Sequence, residues 1–500
     1  MANIKQSVKL GVFTLAIMNV TAVVSLRGLP AEAEYGLSSA FYYIFAAIVF
    51  LIPTALVAAE LAAMFQDKQG GVFRWVGEAF GKRAGFVAIW LQWVESTIWY
   101  PTVLTFGAVS IAFIGLHPAE DMLVASNKFY TLAVVLIIYW AATFISLKGL
   151  GWVGRISKIG GMVGTIIPAF LLVLLAIFYL ATGGESQMDF HGDFFPDFTR
   201  FDNLVLASSI FLFYAGMEMG GIHVKDMENP AKNYPKGVFI GSALTVLIFI
   251  LGTFSLGIII PQKEINLTQS LLVGFDNYMA YIRASWLSPV IAVALAFGVL
   301  AGVLTWVAGP SKGIFVVGKA GYLPPFFQKT NAIGVQKNIL YLQGGLVTLL
   351  SLLFVVMPSV QSFYQILSQL TVLLYLIMYM LMFAAAIALR YSMKKAQRPF
   401  SIGKKGNLLI WMVAGLGFLG SLLAFVLSFI PPAQISTGSN TVWYAVLITG
   451  CVVVTGIPFV IFAMRKPSWT DKNSEFEPFH WETDAATASG QPEKDTGQRQ

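Results

Sequence analysis

Apolar residues run along this chain in long blocks separated by short polar stretches, and no block alternates with the period of two that marks a barrel strand. A bilayer core of about 30 Å takes roughly 20 apolar residues in helical form. Twelve blocks meet that length: about 10–29, 38–64, 85–116, 129–147, 159–181, 203–222, 237–260, 287–308, 339–357, 362–389, 408–430 and 442–464. The pattern predicts an all-α polytopic membrane protein with 12 transmembrane helices. Only Lys5 and Lys9 precede the first block, and no small-residue cleavage site follows it. A retained helix is expected there, not a signal peptide.

Composition narrows the class. Hydrophobic residues make up 57% of the 500 and charged ones 11%, against about 25% charged in an ordinary soluble domain. Mean hydropathy is +0.73. These values exclude most cytosolic enzymes, nucleic-acid binders and disordered chains. The net charge of +7 suggests an anionic partner until its distribution is read. With a cytoplasmic N-terminus, 22 of the 32 basic residues fall in inside loops and five more in the C-terminal tail. Arg27, Lys128, Arg200, Lys263 and Arg283 fall outside. That is the positive-inside pattern of twelve spans with both termini cytoplasmic, and it accounts for the charge. Cys451 lies in an apolar run with no second cysteine, so the redox compartment stays undetermined.

Two blocks are interrupted at mid-depth. The first reads Asn19-Val20-Thr21-Ala22-Val23-Val24-Ser25, then Gly28 and Pro30. The sixth reads Phe213-Tyr214-Ala215-Gly216-Met217-Glu218-Met219-Gly220-Gly221. A helix that only anchors needs no such residues, whereas backbone groups freed at a break bind substrates. The breaks lie five helices apart, so each opens a five-helix unit and the last two spans are left over. Asn19, Thr21, Ser25, Phe213, Tyr214, Ala215, Gly216 and Glu218 are the expected substrate-binding residues. Glu218 is read as coupling substrate or proton, or else as bonding loosened backbone. Glu95 in the third span is a proton-coupling candidate or an interhelical hydrogen-bond partner. Lys158 is a further proton-coupling candidate, or snorkels to the cytoplasmic surface. Glu60, near the inner end of the second span, is expected to have a structural partner. His223 and His480 are pH-sensing candidates. The four histidines are scattered, and no Walker loop, nucleophile elbow or zinc spacing appears. No metal, cofactor, enzymatic activity or nucleic-acid partner is expected.

At this point the motifs are specific enough for a family resemblance. Gly70-Gly71-Val72-Phe73-Arg74-Trp75 with Glu78-Ala79-Phe80-Gly81-Lys82-Arg83 resembles the loop after the second helix of amino acid–polyamine–organocation (APC) superfamily permeases. Tyr214-Ala215-Gly216-Met217-Glu218, Asp226-Met227-Glu228-Asn229-Pro230 and Asn233-Tyr234-Pro235 resemble the sixth helix and its exit. Phe194-Phe195-Pro196-Asp197-Phe198, Pro261-Gln262-Lys263-Glu264-Ile265-Asn266-Leu267 and Trp306-Val307-Ala308-Gly309-Pro310-Ser311-Lys312-Gly313 are most similar to bacterial glutamate/γ-aminobutyrate (GABA) antiporters. The likeness covers roughly residues 10–465. It implies a LeuT-like 5+5 inverted repeat, with repeat one at about 10–181, repeat two at about 203–389 and two extra helices at about 408–464. Residues 1–9 and 465–500 would then be a cytoplasmic N-terminus and a cytoplasmic polar tail. It also implies secondary active transport in a bacterial inner membrane by alternating access, exchanging extracellular glutamate for intracellular GABA and so supporting acid resistance. The substrates are amino acids. Tyr375, on the tenth helix, matches a tyrosine linked to substrate selection in such antiporters. A proton-coupled symporter and a transporter-like nutrient sensor are the alternatives.

Several positions depart from that family pattern. The Gly-Ser-Gly of the first helix is here Val23-Val24-Ser25, and Arg27 and Leu29 stand where glutamate exchangers carry aromatic residues. Gly302 replaces a carboxylate, and Gly334-Val335-Gln336 replaces Gly-x-Pro. Arg27 either draws anions to an outer vestibule or is one of five ordinary outside charges; the second reading is favoured. The polar tail has the composition of a flexible segment, with Phe476, Phe479 and Trp481 as possible packing anchors. In related antiporters the C-terminus can plug the cytoplasmic path and leave it at low pH, so this tail is either a plug or solvated.

Overall fold

Lipid offers no hydrogen bonds, so a chain crossing a bilayer must satisfy its backbone internally, and long apolar blocks do so as helices. The computed structural model describes residues 11–68, 70–115, 117–197, 199, 208–218, 228–403, 406–431, 439–472, 474 and 476–483. Among these residues nine helices are long and apolar enough to cross a membrane: Ser38–Met64, Lys128–Ser146, Gly151–Ala181, Ala231–Ile259, Ser285–Lys319, Lys337–Val356, Val360–Ser392, Leu408–Leu427 and Asn440–Ala463. They coincide with the second, fourth, fifth and seventh to twelfth apolar blocks.

The remaining three blocks differ in instructive ways. The third is one 31-residue helix, Lys82–Ala112, whose middle carries Gln92, Glu95, Ser96 and Thr97. Its polar side chains are buried by protein, not exposed to lipid. The first block is split into Val12–Val23 and Leu29–Ala33, joined by a 3₁₀ turn at Leu26–Gly28. In the sixth, the helix Ser209–Tyr214 stops at Ala215, whose backbone is extended. The residues that follow Glu218 in that block lie outside the described residues.

The third helix is the hub. It packs most extensively against the tenth (Val360–Ser392) and the eighth (Ser288–Lys319), while Val12–Val23 lies along the seventh. Without a hydrophobic drive between helices in lipid, close approach depends on small side chains. The fifth and eighth helices show this most plainly. A Cβ placed on Gly164 would lie 2.3 Å from the Cα of Gly298, and one on Gly160 would lie 2.3 Å from the Cβ of Ala301. Both the second and fifth helices contain a π-helical turn, at Ala47–Leu51 and Met162–Ile166, just before Pro53 and Pro168. A wider turn absorbs the hydrogen bond that proline cannot make. Glu60 on the second helix accepts Arg390 Nη2 at 2.6 Å and the Ile402 N–H at 2.7 Å, tying that helix to the end of the tenth.

The Gly164–Gly298 crossing generates a first prediction. Gly298→Val should destabilise the protein by about 1–3 kcal/mol through overpacking, seen as a lower melting temperature in detergent. Gly415→Val, at a glycine with open space around it, should leave the melt unchanged. Equal melts for the two variants would refute the close-packed crossing.

Candidate functional site

The two breaks face one another across a cavity of about 630 Å³. The first helix runs regularly to Val23, where the Val24 N–H still reaches the Val20 carbonyl at 2.8 Å. Ser25 then adopts an extended backbone (φ −136°, ψ 117°), and helix resumes only at Leu26. Val23-Val24, branched at Cβ, favour extended backbone at the point where the ladder gives way. Asn19, Ser25 and Arg27 line the cavity from this side. Leu212, Phe213 and Ala215 line it from the sixth segment, and Tyr375 from the tenth. Glu95, Trp99 and Phe106 come from the third helix, Lys158 from the fifth, and Thr305 with Trp306 from the eighth.

Behind Tyr375 lies the group that fixes the second break. Gly216 has φ +109°, a backbone conformation glycine adopts freely and side chains resist. Its N–H donates to the Tyr379 hydroxyl at 2.9 Å and to Glu218 Oε2 at 3.2 Å. Tyr379 in turn donates to Glu218 Oε2 and Tyr375 to Glu218 Oε1, both at 2.5 Å. Tyr375 and Tyr379 are one helical turn apart, so their rings lie tilted against each other at a centroid distance of 4.6 Å and both hydroxyls reach Glu218. Glu218 is 2% exposed and Tyr379 fully buried. The carboxylate therefore holds the unwound backbone and orients Tyr375, and only Tyr375 of this cluster faces the cavity.

The other expected residues fall as follows. Tyr214 points away, donating to the Tyr43 carbonyl at 3.1 Å. Asn19 is buried with its Nδ2 unpartnered, and Glu95 is 2% exposed with Oε1 unpartnered. Lys158 lines the cavity and is exposed. The side chain of Thr21, and His223 altogether, lie outside the described residues. Arg27 corrects the reading of it as an ordinary outside charge. It is 3% exposed, with its guanidinium carbon 5.5 Å from the Trp99 ring centre and 5.4 Å from that of Phe213. Tyr379 and Trp99 were not singled out in the sequence. Repetition of tyrosine at i and i+4 in Tyr375-Leu376-Ile377-Met378-Tyr379 is the unused signal that points to the first of them.

The tail is likewise not the solvated segment its composition suggests, as far as Thr483. Phe479 is fully buried, and Phe476 and Phe479 pack on Phe73 of the loop helix Val72–Phe80. Arg74 lies beneath both rings and donates to the carbonyls of Glu477 and Pro478 at 2.5 and 3.0 Å, and to Glu78 Oε1 at 3.1 Å. Burial pulls the Arg74 pKa down, and Glu78 opposes that shift. Glu78 Oε2 also accepts the His480 backbone N–H at 3.0 Å and contacts its Nδ1. Trp481 Nε1 donates to the Gly77 carbonyl at 3.1 Å. Residues 476–483 dock on the loop helix, Arg465 and Asp471 bond to Gly321 and Lys319 at the end of the eighth helix, and none of the described tail residues lines the central cavity.

Comparison with known proteins fits this geometry. Residues 10–454 match the sequence profile of a family described as amino acid permease. An uncharacterized transporter of Legionella pneumophila is 37% identical over 91% of this chain and 97% of its own length. A glutamate/γ-aminobutyrate antiporter of Lactococcus lactis is 33% identical over 91% of both chains. An aspartate/glutamate permease of Lactococcus lactis is 25% identical over 87% of this chain and 90% of its own.

Glu218→Gln is expected to leave the protein folded, since an amide keeps an acceptor for one tyrosine and offers a donor to the other. It should slow transport or alter its pH dependence. Wild-type rates across pH 4–8 in that variant would contradict a role for Glu218. Tyr379→Phe strips partners from Glu218 and Gly216 together, and should cost about 1–3 kcal/mol as a buried unsatisfied group, read as a lower melting temperature in detergent.

Proposed function

The chain belongs to the amino acid permease family, and we propose that it is a secondary active antiporter exchanging extracellular glutamate, or a related amino acid, for intracellular GABA. It is an integral membrane protein with amino acids as its substrates. The observation carrying the proposal is the cavity shared by two broken helices, lined by Ser25, Phe213, Ala215 and Tyr375. Extended backbone at Ser25 and Ala215 frees polar groups at mid-chain of otherwise apolar segments. Half-helix N-termini suit a carboxylate and freed carbonyls an ammonium, so the pair of breaks suits a zwitterion. The glutamate/γ-aminobutyrate antiporter relative, covered over nine-tenths of its length, supports the exchange mode. Breaks five blocks apart support two inverted five-helix repeats with two extra helices. The concentration of basic residues in alternate loops supports cytoplasmic termini, and bacterial relatives support an inner-membrane location and a contribution to acid resistance.

One observation favours a second reading. Glu95, buried at the cavity wall with an unpartnered oxygen, is placed to carry a proton, as a proton-coupled symporter requires. A single experiment separates the two. Liposomes loaded with GABA should accumulate labelled glutamate while empty ones do not. Uptake into empty liposomes driven by an inward proton gradient supports symport, and no flux under either condition refutes both.

The docked tail adds a regulatory element to this proposal. By clamping Arg74 and Glu78 it holds the loop helix Val72–Phe80 in place, which restrains opening of the cytoplasmic side. A Cβ on Gly77 would lie 2.5 Å from the Phe479 ring. Gly77→Val should therefore release the tail, with faster tryptic cleavage after Lys472 and faster exchange at neutral pH. A released tail with unchanged exchange would remove the regulatory role.

A further inference from the structure

Arg27 stands apart from Arg74, which is buried, and Arg390, which is largely so. Arg390 meets Glu60 at 2.6 Å and Arg74 meets Glu78 at 3.1 Å. Arg27, by contrast, has no ion pair among the described residues. Its Nη1 donates to the Tyr364 hydroxyl at 3.2 Å and to Thr102 Oγ1 at 3.5 Å, while its Nε finds no acceptor. The rings of Trp99, Phe213 and Tyr364 surround it, with centres 5.4 to 5.8 Å from the guanidinium carbon. Such rings hold the planar fork in one orientation, and their faces attract the cation without neutralising it. Gly28 makes the enclosure possible, since a Cβ there would lie 2.5 Å from the Phe213 ring. A buried guanidinium with unspent donors is costly to leave without an anion. This one lines the central cavity.

We infer that Arg27 binds the distal carboxylate of the amino-acid substrate, the carboxylate that glutamate and GABA have in common. The inference rests on the exchange reading above and extends it. In both molecules an ammonium and this carboxylate are separated by the same three carbons, whereas the α-carboxylate is missing from GABA. An exchanger must carry either substrate through the same transition. A cation that is costly when unpaired is satisfied in both directions only by the shared group. Planar guanidinium and carboxylate meet through paired charge-assisted hydrogen bonds, and the amide of glutamine offers no such match.

The test compares glutamate, GABA and glutamine in proteoliposomes containing the full chain. For wild-type protein, the KM of glutamine should exceed that of glutamate at least tenfold. Arg27→Gln should raise the KM of glutamate and GABA at least tenfold while changing that of glutamine much less, so the preference collapses. Arg27→Lys should restore part of it. A uniform loss for all three substrates would mark Arg27 as a gating or structural residue and overturn the inference, as would an unchanged glutamate-to-glutamine ratio. If Arg27→Gln does not fold, competition in the wild-type protein decides: equal inhibition of glutamate uptake by glutamine and by GABA overturns the assignment. Ligand-induced rise of the melting temperature in detergent separates this inference from the transport reading. Glutamate stabilisation that glutamine lacks and Arg27→Gln abolishes supports the carboxylate site even where no exchange is measured, and equal stabilisation by glutamate and glutamine overturns it.

Discussion

Unwound backbone inside a membrane must find its partners within the protein, and that constraint organises this molecule. The break in the sixth segment is tolerated because Glu218 and Tyr379 accept the Gly216 N–H, and Glu218 accepts two tyrosine hydroxyls in turn. Removing water makes each of these bonds matter more, since an unmade one has no substitute in lipid. The network has a geometric consequence as well. The tenth helix is pinned to the break, and Tyr375 is turned into the cavity.

The third helix serves the same constraint from the opposite wall. A lipid-facing helix could not carry Gln92, Glu95, Ser96 and Thr97 in succession, but a helix enclosed by the eighth and tenth can. Close crossing at Gly164 and Gly298 brings the fifth and eighth helices together beside it, so that Lys158 and Trp306 share one cavity with Ser25. Charge is placed with equal economy. Where arginine serves structure, as at Glu60 and Glu78, it is paired; where it faces the cavity, at Arg27, it is left open.

Much of this was legible in the residues. Block length and the absence of period-two alternation gave the helices, and nine of the expected twelve are long, apolar helices among the described residues. Gly and polar residues at mid-block marked both breaks, because nothing in a purely anchoring helix selects for them. What stayed hidden depended on long-range proximity. Arg27 read as a loop charge because its neighbours Trp99 and Tyr364 are 72 and 337 residues away. Tyr379 escaped notice because its bond to Gly216 joins segments 163 residues apart. The tail stayed open between plug and solvated segment because its aromatic anchors are visible in its sequence, while their receiving surface, Phe73 and Gly77 of the loop helix, is not marked there.

The central claim is that substrate occupies the space between the two breaks. Its most direct measurement is substrate protection of a single introduced thiol. With Cys451 replaced by alanine, Ser25→Cys at the cavity wall is labelled by a small water-soluble thiol reagent with and without glutamate or GABA. The account predicts that both amino acids slow the labelling in a concentration-dependent way, while a thiol placed at exposed Gly151 reacts at an unchanged rate. Labelling of Ser25→Cys that proceeds equally fast at saturating glutamate and GABA would contradict it.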